Sequence, residues 1–437
     1  MISDQHNLQL TTTNVDAAKA YDKTIIAYLS LSQETGPLLK SIFENDENMV
    51  MAHCLKGYFF ILMGNAKLLP RALNSYKEAK KHSNSATLRE KAHIKALRTW
   101  CDHDDEGALS IWEEILNDFP NDILALRLAH HAHFYSGDSN AMCRSIEKVL
   151  PKWSEEMPGY SFILGMRAFA HEENRNFKFA EEEGRRAVSL NPNDPWSIHS
   201  VLHVLEMQDR HDEGISWLEG LEPHWTNSNN FRHHLWWHKA LIHIDKREFD
   251  EVVKLYDEKI WDAESEEYLD FCNDISMLVR MEICGINVGK RWTDIGDKLR
   301  DRTDEHIRTF SDAHFALALS TVGNFGGVKN LIKTFSEKGG EVRMEIGVPL
   351  CQAMFNYRKE NYFDCFKVLN KLKSQLFRIG GSNAQRDLFD QILIDSAIRC
   401  DHLKEAKVLL EERLRLAPKN ILTKQKLDKL VALINGQ

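Results

Sequence analysis

Several functional classes are disfavoured by what the 437-residue sequence lacks. There is no 18-residue apolar stretch, so no membrane span is expected. No long run of one charge sign occurs, and the net charge is -9. A nucleic-acid binder would carry a basic patch or stripe, so no nucleic-acid partner is expected. Ten prolines and 22 glycines are too few for linker-like or low-complexity regions. The eight cysteines form no Cys-x-x-Cys pair and are widely scattered, which suits core thiols in a reducing cytoplasm. The opening MISDQHNLQLTTTN has no basic segment followed by an apolar run, so no secretory signal is expected. P-loop and Rossmann glycine patterns are absent, no Ser/His/Asp arrangement can be assigned by spacing, and nothing alternates convincingly as a strand.

What is present is an internal repeat. Ala96, Ala108 and Pro120 are each 12 apart, as are Ala168, Ala180 and Pro192, and Ala406 and Pro418 repeat the last interval. This is the tetratricopeptide pattern. The two small residues let helices A and B of a hairpin approach closely, and the proline ends helix B because it cannot continue the hydrogen-bond ladder. Phe177, His211, Phe249, Phe325, Tyr362 and Leu403 mark the turns three residues before the small residue of helix B. Counting back, repeats begin near Arg89, Ile123, Ser161, Pro195, His233, Thr309, Ile346 and Asp387. The central offsets alternate 34, 38, 34, 38.

The expected fold is all-α: a right-handed superhelical solenoid of tetratricopeptide-like hairpins, able to curl into a closed or nearly closed ring. It is read as a single domain over 1–437. Divergent helical pairs fill 1–88, regular repeats 89–262, irregular helices 263–308, and further repeats 309–437. In GGSNAQRD, Ser382 and Gln385 fit a capping box that opens the last long helix. The free N–H groups expected there, with Arg386 nearby, also make it a candidate anion site.

The segments LKGYFFIL, PGYSFILGMRAFAHEE, IHSVLHVLEMQDRHDEGISWL, HHLWWHKALIHI and GGSNAQRD resemble the tetratricopeptide repeat protein 38 family over nearly the whole chain. The resemblance implies a soluble helical-repeat protein and places 262–308 in the same domain. It implies little about activity.

Positions 2, 5, 9 and 12 of each A helix face the groove in such arrays. Across the five central repeats they give Arg127, His131, Phe134, Phe162, Gly165, Phe169, Glu172, Trp196, His199, His203, Glu206, His234 and Trp237, among others. Aromatics, His and Glu dominate, with one Arg and no Lys or Asn to grip a peptide carboxylate. Such a wall suits a small molecule or short peptide. The candidate ligand-binding residues are His131, Phe162, Phe169, Trp196, His199, His203, His234, Trp237, His238 and Arg386.

Twelve of the 20 histidines fall between His130 and His243. His199 and His203 share a helix face, and Glu206 follows on it. With His238 they are candidate ligands for Zn, Fe or Mn. HSVLH lacks the general base of a zinc protease motif. The register places Trp237 beside His199, so no symmetric four-histidine site is expected.

Three functions remain open: a ligand-binding cup, an enzyme using His199, His203 and Glu206 as metal ligands or acid and base, and a scaffold for another protein. Structural packing of the histidines is the plain alternative. The acidic group Glu172, Glu173 and Glu181–Glu183 reads as a solvated face, and VGNFGGVKN reads as a helix–helix turn.

Overall fold

The protein is described for residues 1–436 by a computed structural model, and it divides into two compact units. The first comprises Met1–Phe134, Asp138–Val201 and Leu221–Arg232, and the second Tyr135–Gly137, Leu202–Gly220 and His233–Gln437. Both are built of antiparallel helical hairpins of the tetratricopeptide kind.

In the first unit the pairs are Val15–Leu29 with Thr35–Asn45, Val50–Leu62 with Leu69–Lys81, and Leu88–Cys101 with Asp105–Asp118. Ile123–Tyr135 with Ser139–Val149 and Tyr160–Glu173 with Phe177–Leu190 complete the set. The N-terminal arm carries a minimal antiparallel ladder, Ile2–Ser3 with Gln9–Leu10. Two residues per strand are too few for an alternation to be read from sequence. The arm is held by Glu90, whose carboxylate accepts from Thr11 N at 2.8 Å, and by His6, 2.8 Å from Pro158 O. The first hairpin turn also meets a late segment of this unit, where Asn229 N donates to Leu31 O at 2.7 Å.

The second unit begins inside helix Pro195–Met207, which pairs with His211–Gly220. Phe231–Lys246 and Phe249–Leu255 follow, then Thr309–Thr321 with Phe325–Lys338, Val348–Arg358 with Tyr362–Leu372, and Asn383–Arg399 with Leu403–Leu416. The stretch that the repeat pattern could not place folds as another hairpin, Tyr268–Ile283 against Arg291–Leu299. Its first helix buries Asp270, Asn273, Asp274, Ser276 and Arg280, so it lacks both the small-residue mark and an amphipathic stripe. The far end of this unit returns to its start, with Lys419 N donating to Asp209 Oδ2 at 2.9 Å.

The small residues do what their spacing requires: Ala96, Ala108, Ala168, Ala180 and Ala406 are fully buried. At Gly184 a Cβ would lie 2.6 Å from the Val201 side chain, so the facing helix passes too close for one. The predicted turn residues Phe177, His211, Phe249, Phe325, Tyr362 and Leu403 each open their helix.

Two residues before each of these openings the chain takes a left-handed conformation, at Arg175, Asp209, Arg247, Gly323, Glu360 and Asp401. The next N–H then reaches back into the preceding helix, as Asn176 N does to His171 O and Arg210 N to Leu205 O, at 2.9 and 2.8 Å. This satisfies otherwise orphaned carbonyls of helix A. Five of these six residues are not glycine, so glycine could not punctuate the repeats in the sequence.

Inter-repeat contacts recur at a separation of 35 residues, in Tyr58 with His93, Gly165 with Ser200, and His203 with His238. The helix expected from His233 starts at Phe231, and the one expected from Asp387 starts at Asn383. The second begins early because the Ser382–Gln385 capping box forms: Gln385 N donates to Ser382 Oγ at 3.2 Å, and Ser382 N to Gln385 Oε1 at 2.9 Å.

Candidate functional site

In the second unit, three imidazoles converge. Helix Pro195–Met207 supplies His203, and Phe231–Lys246 supplies His234 and His238, one turn apart. His203 Nε2 lies 3.1 Å from His238 Nε2, which lies 3.2 Å from His234 Nε2. All three residues are buried. The far nitrogens have polar partners. His238 Nδ1 and Glu206 Oε2 are 2.7 Å apart, and His234 Nδ1 lies 3.1 Å from Asn273 Oδ1. Trp237 walls the group, stacking on His234 at 5.2 Å and 12° and meeting His238 edge-on at 4.8 Å. Its indole N–H donates to Ser276 Oγ at 2.9 Å.

Proton counting constrains this arrangement. With Asn273 Oδ1 accepting from His234 Nδ1–H, His234 is left with a lone pair on Nε2. His238 Nε2 faces two nitrogens but can carry only one proton or one lone pair. Whichever it carries, one of the two contacts has no linear hydrogen bond to fill it. A single cation at the convergence satisfies all three nitrogens. In a tetrahedral zinc site with Zn–N near 2.0–2.1 Å, ligand nitrogens lie about 3.3 Å apart. The donor set therefore fits a divalent transition metal. Carboxylates and amides behind the ligating imidazoles fix their tautomers in such sites.

Burial pushes the His234 imidazole down to about 3, so this ring is neutral. Burial also pushes the Glu206 carboxyl up to about 8, with His203 opposing. A cation bound by the rings would draw that carboxyl back toward its ionised form.

The first unit uses histidine differently. Trp196 gathers Phe169 at 4.8 Å, His199 at 5.4 Å, His131 at 5.8 Å and the Arg127 guanidinium at 4.4 Å. His199 stacks on Phe169 at 5.6 Å. Phe162 lies in the apolar core. Aromatic packing with one buried cation dominates here.

His203, His234 and His238 meet, with Trp237 beside them. The expected separation of the two histidine pairs is corrected: His203 contacts His238 directly, because neighbouring A helices meet at an offset of 35 residues here too, not at the longer repeat offset of 38. Glu206 stands behind His238 and not at the convergence. His199, one turn before His203 on its helix, packs among aromatic rings of the first unit. Arg386 is used locally, donating to Gly381 O and, at 3.0 Å, to Asn383 Oδ1. Glu172, read as part of a solvated face, is fully buried.

Sequence reasoning missed Asn273, His314 and His130. His130 is fully buried, and neither ring nitrogen has a hydrogen-bond partner. A cleft of about 660 Å³ in the second unit, lined by Trp292, Asp297, Arg300 and Asn324, contains none of the converging histidines.

No known family model matches the sequence. Solved helical-repeat structures are similar in fold. The human IFIT1 dimer with PPP-AAAA is 16% identical over 95% of this chain and 96% of that one, with a TM-score of 0.42. Yeast Tom70 is 12% identical over 96% of each chain, TM-score 0.35. The TPR domain of P58(IPK) is 11% identical over 80% of this chain and 99% of that one, TM-score 0.24.

Proposed function

We propose that this chain is a ligand-binding helical-repeat protein of the tetratricopeptide repeat protein 38 type. Its ligand centre is a divalent transition metal, zinc foremost, held by His203, His234 and His238. The carrying observation is the pair of Nε2–Nε2 distances, 3.1 and 3.2 Å, among buried imidazoles. Imidazole nitrogens at these separations match the edge between two ligands of a tetrahedral zinc site. Neutral imidazole is the protonation state that metal coordination requires. Glu206 and Asn273 would orient His238 and His234 and raise the basicity of the donors. Two ligands from one helix and one from its neighbour make the centre depend on the repeat packing, so metal and fold would stabilise each other.

The test is elemental analysis of untagged full-length protein, followed by cobalt substitution. The expected result is one metal per chain and a d–d spectrum of a nitrogen-rich site, both lost in the His203→Ala, His238→Ala double variant. Wild-type protein that stays metal-free after exposure to zinc and cobalt would overturn the reading.

A further inference from the structure

Next to this centre, the second unit holds a buried cation whose nearest carboxylate is shared with a second arginine. Arg280, on helix Tyr268–Ile283, is 1% exposed. Its guanidinium lies over Trp237, 5.5 Å from the ring centre. Two N–H groups donate to backbone carbonyls, Ala384 O at 2.9 Å and Ser276 O at 3.3 Å. The nearest carboxylate, Asp387, is 3.8 Å away and bonds Arg413 through both of its oxygens. A guanidinium has five N–H groups, and a buried charge without a close counter-ion is costly.

Two further buried polar atoms nearby are unpartnered. Asn273 Nδ2, on the same helix face as Arg280, is a donor without an acceptor. His314 Nε2 on Thr309–Thr321 is an acceptor without a donor, because its Nδ1–H donates to Phe310 O at 2.8 Å. Asn273 and His314 are each 1% exposed. Burial first, and the Arg280 charge after it, push the His314 imidazole down to about 4. The helices bearing these groups pack directly on one another.

We infer that the second unit takes a small hydroxycarboxylate, its carboxylate on Arg280 and the Asn273 amide and its hydroxyl donating to His314 Nε2. This rests on the ligand-binding reading above and names the ligand class. The two anionic oxygens match a forked guanidinium and a neighbouring amide donor. The hydroxyl supplies the one proton that His314 lacks.

The experiment is calorimetric titration of full-length protein, metal-free and zinc-loaded, with glycolate and with acetate. Glycolate should bind, with acetate about tenfold weaker for want of the hydroxyl. Arg280→Gln should weaken glycolate about thirtyfold or more while zinc binding persists. His314→Phe should bring glycolate down to the acetate level and leave acetate unchanged, and it decides the matter if Arg280→Gln does not fold. If zinc fails to bind but glycolate shows these dependences, the metal reading falls and the hydroxycarboxylate stands. If zinc binds but glycolate does not, or binds equally to folded Arg280→Gln, the inference is overturned and the metal reading survives.

Discussion

The two units place histidine on the same inward faces of their A helices and make different things of it. In the first, His131 meets Trp196 edge-on and His199 stacks on Phe169, and hydrophobic area with quadrupole contacts holds the two rings there. In the second, His203, His234 and His238 present nitrogens to one another, with Glu206 and Asn273 behind. The difference is what stands next to the ring. An aromatic neighbour accepts an imidazole as a flat apolar body. A second imidazole forces a decision about protons. Histidine-rich composition is therefore uninformative until the partner of each nitrogen is known.

The comparison breaks most sharply through the metal. The His203→Ala, His238→Ala double variant is expected to lose on the order of 5 kcal/mol of zinc affinity, read by competition with a chelator. His131→Ala should leave zinc within a few-fold of wild type; an equal loss there would erase the contrast between the units.

Next in size is the first unit's own ion pair. Asp122 bonds Arg89 at 2.9 Å and His93 at 3.0 Å, all buried. Burial alone would raise this carboxyl, but His93 and Arg89 hold it well below the usual range. Asp122→Asn should cost about 3–5 kcal/mol at neutral pH. Hydrogen exchange should place the loss in first-unit peptides. A depressed folded pKa stabilises above the unfolded value of about 3.9 and is lost as pH falls below it. The difference between wild type and Asp122→Asn should therefore shrink below about pH 4.

Gly165→Ala tests the close packing of the first unit's wall. A Cβ there would strike Ser197 Oγ, which is tied to Asp194. A loss of about 1–3 kcal/mol is expected in thermal melts. Glu206→Gln should weaken zinc about 10- to 100-fold without removing it, as expected for a group behind a ligand. A complete loss would make Glu206 a direct ligand. The smallest effect is Ser382→Ala, about 1 kcal/mol from the lost cap, seen in the melt of the second unit.

Much of the fold was legible because its signals are local. Ala168, Ala180 and Pro192 mark a hairpin through sterics and a missing N–H, and Phe177 or Tyr362 mark the helix start after the turn. Hairpin Tyr268–Leu299 escaped because its first helix buries polar groups, some of which, such as Asn273 and Arg280, pair with other repeats. The left-handed turn residues escaped because Arg175 and Glu360 adopt that conformation for the carbonyls they satisfy. Of the site, the histidines and Trp237 were legible as residue types on inward faces. Their grouping was not, since the offset at which one helix meets the next decides which imidazole meets which.

By itself, then, the sequence determined the repeat, the all-α class and the faces that turn inward, because helix period, small-residue spacing and proline act within a few residues. Tertiary structure decided the rest. It brought His203 to His234 and His238, put Glu206 behind His238, left Arg280 to share Asp387 with Arg413, and gave His131 and His199 aromatic neighbours. Hydrogen-bond partners and buried charge depend on groups dozens to a hundred residues away, and no local pattern encodes those distances.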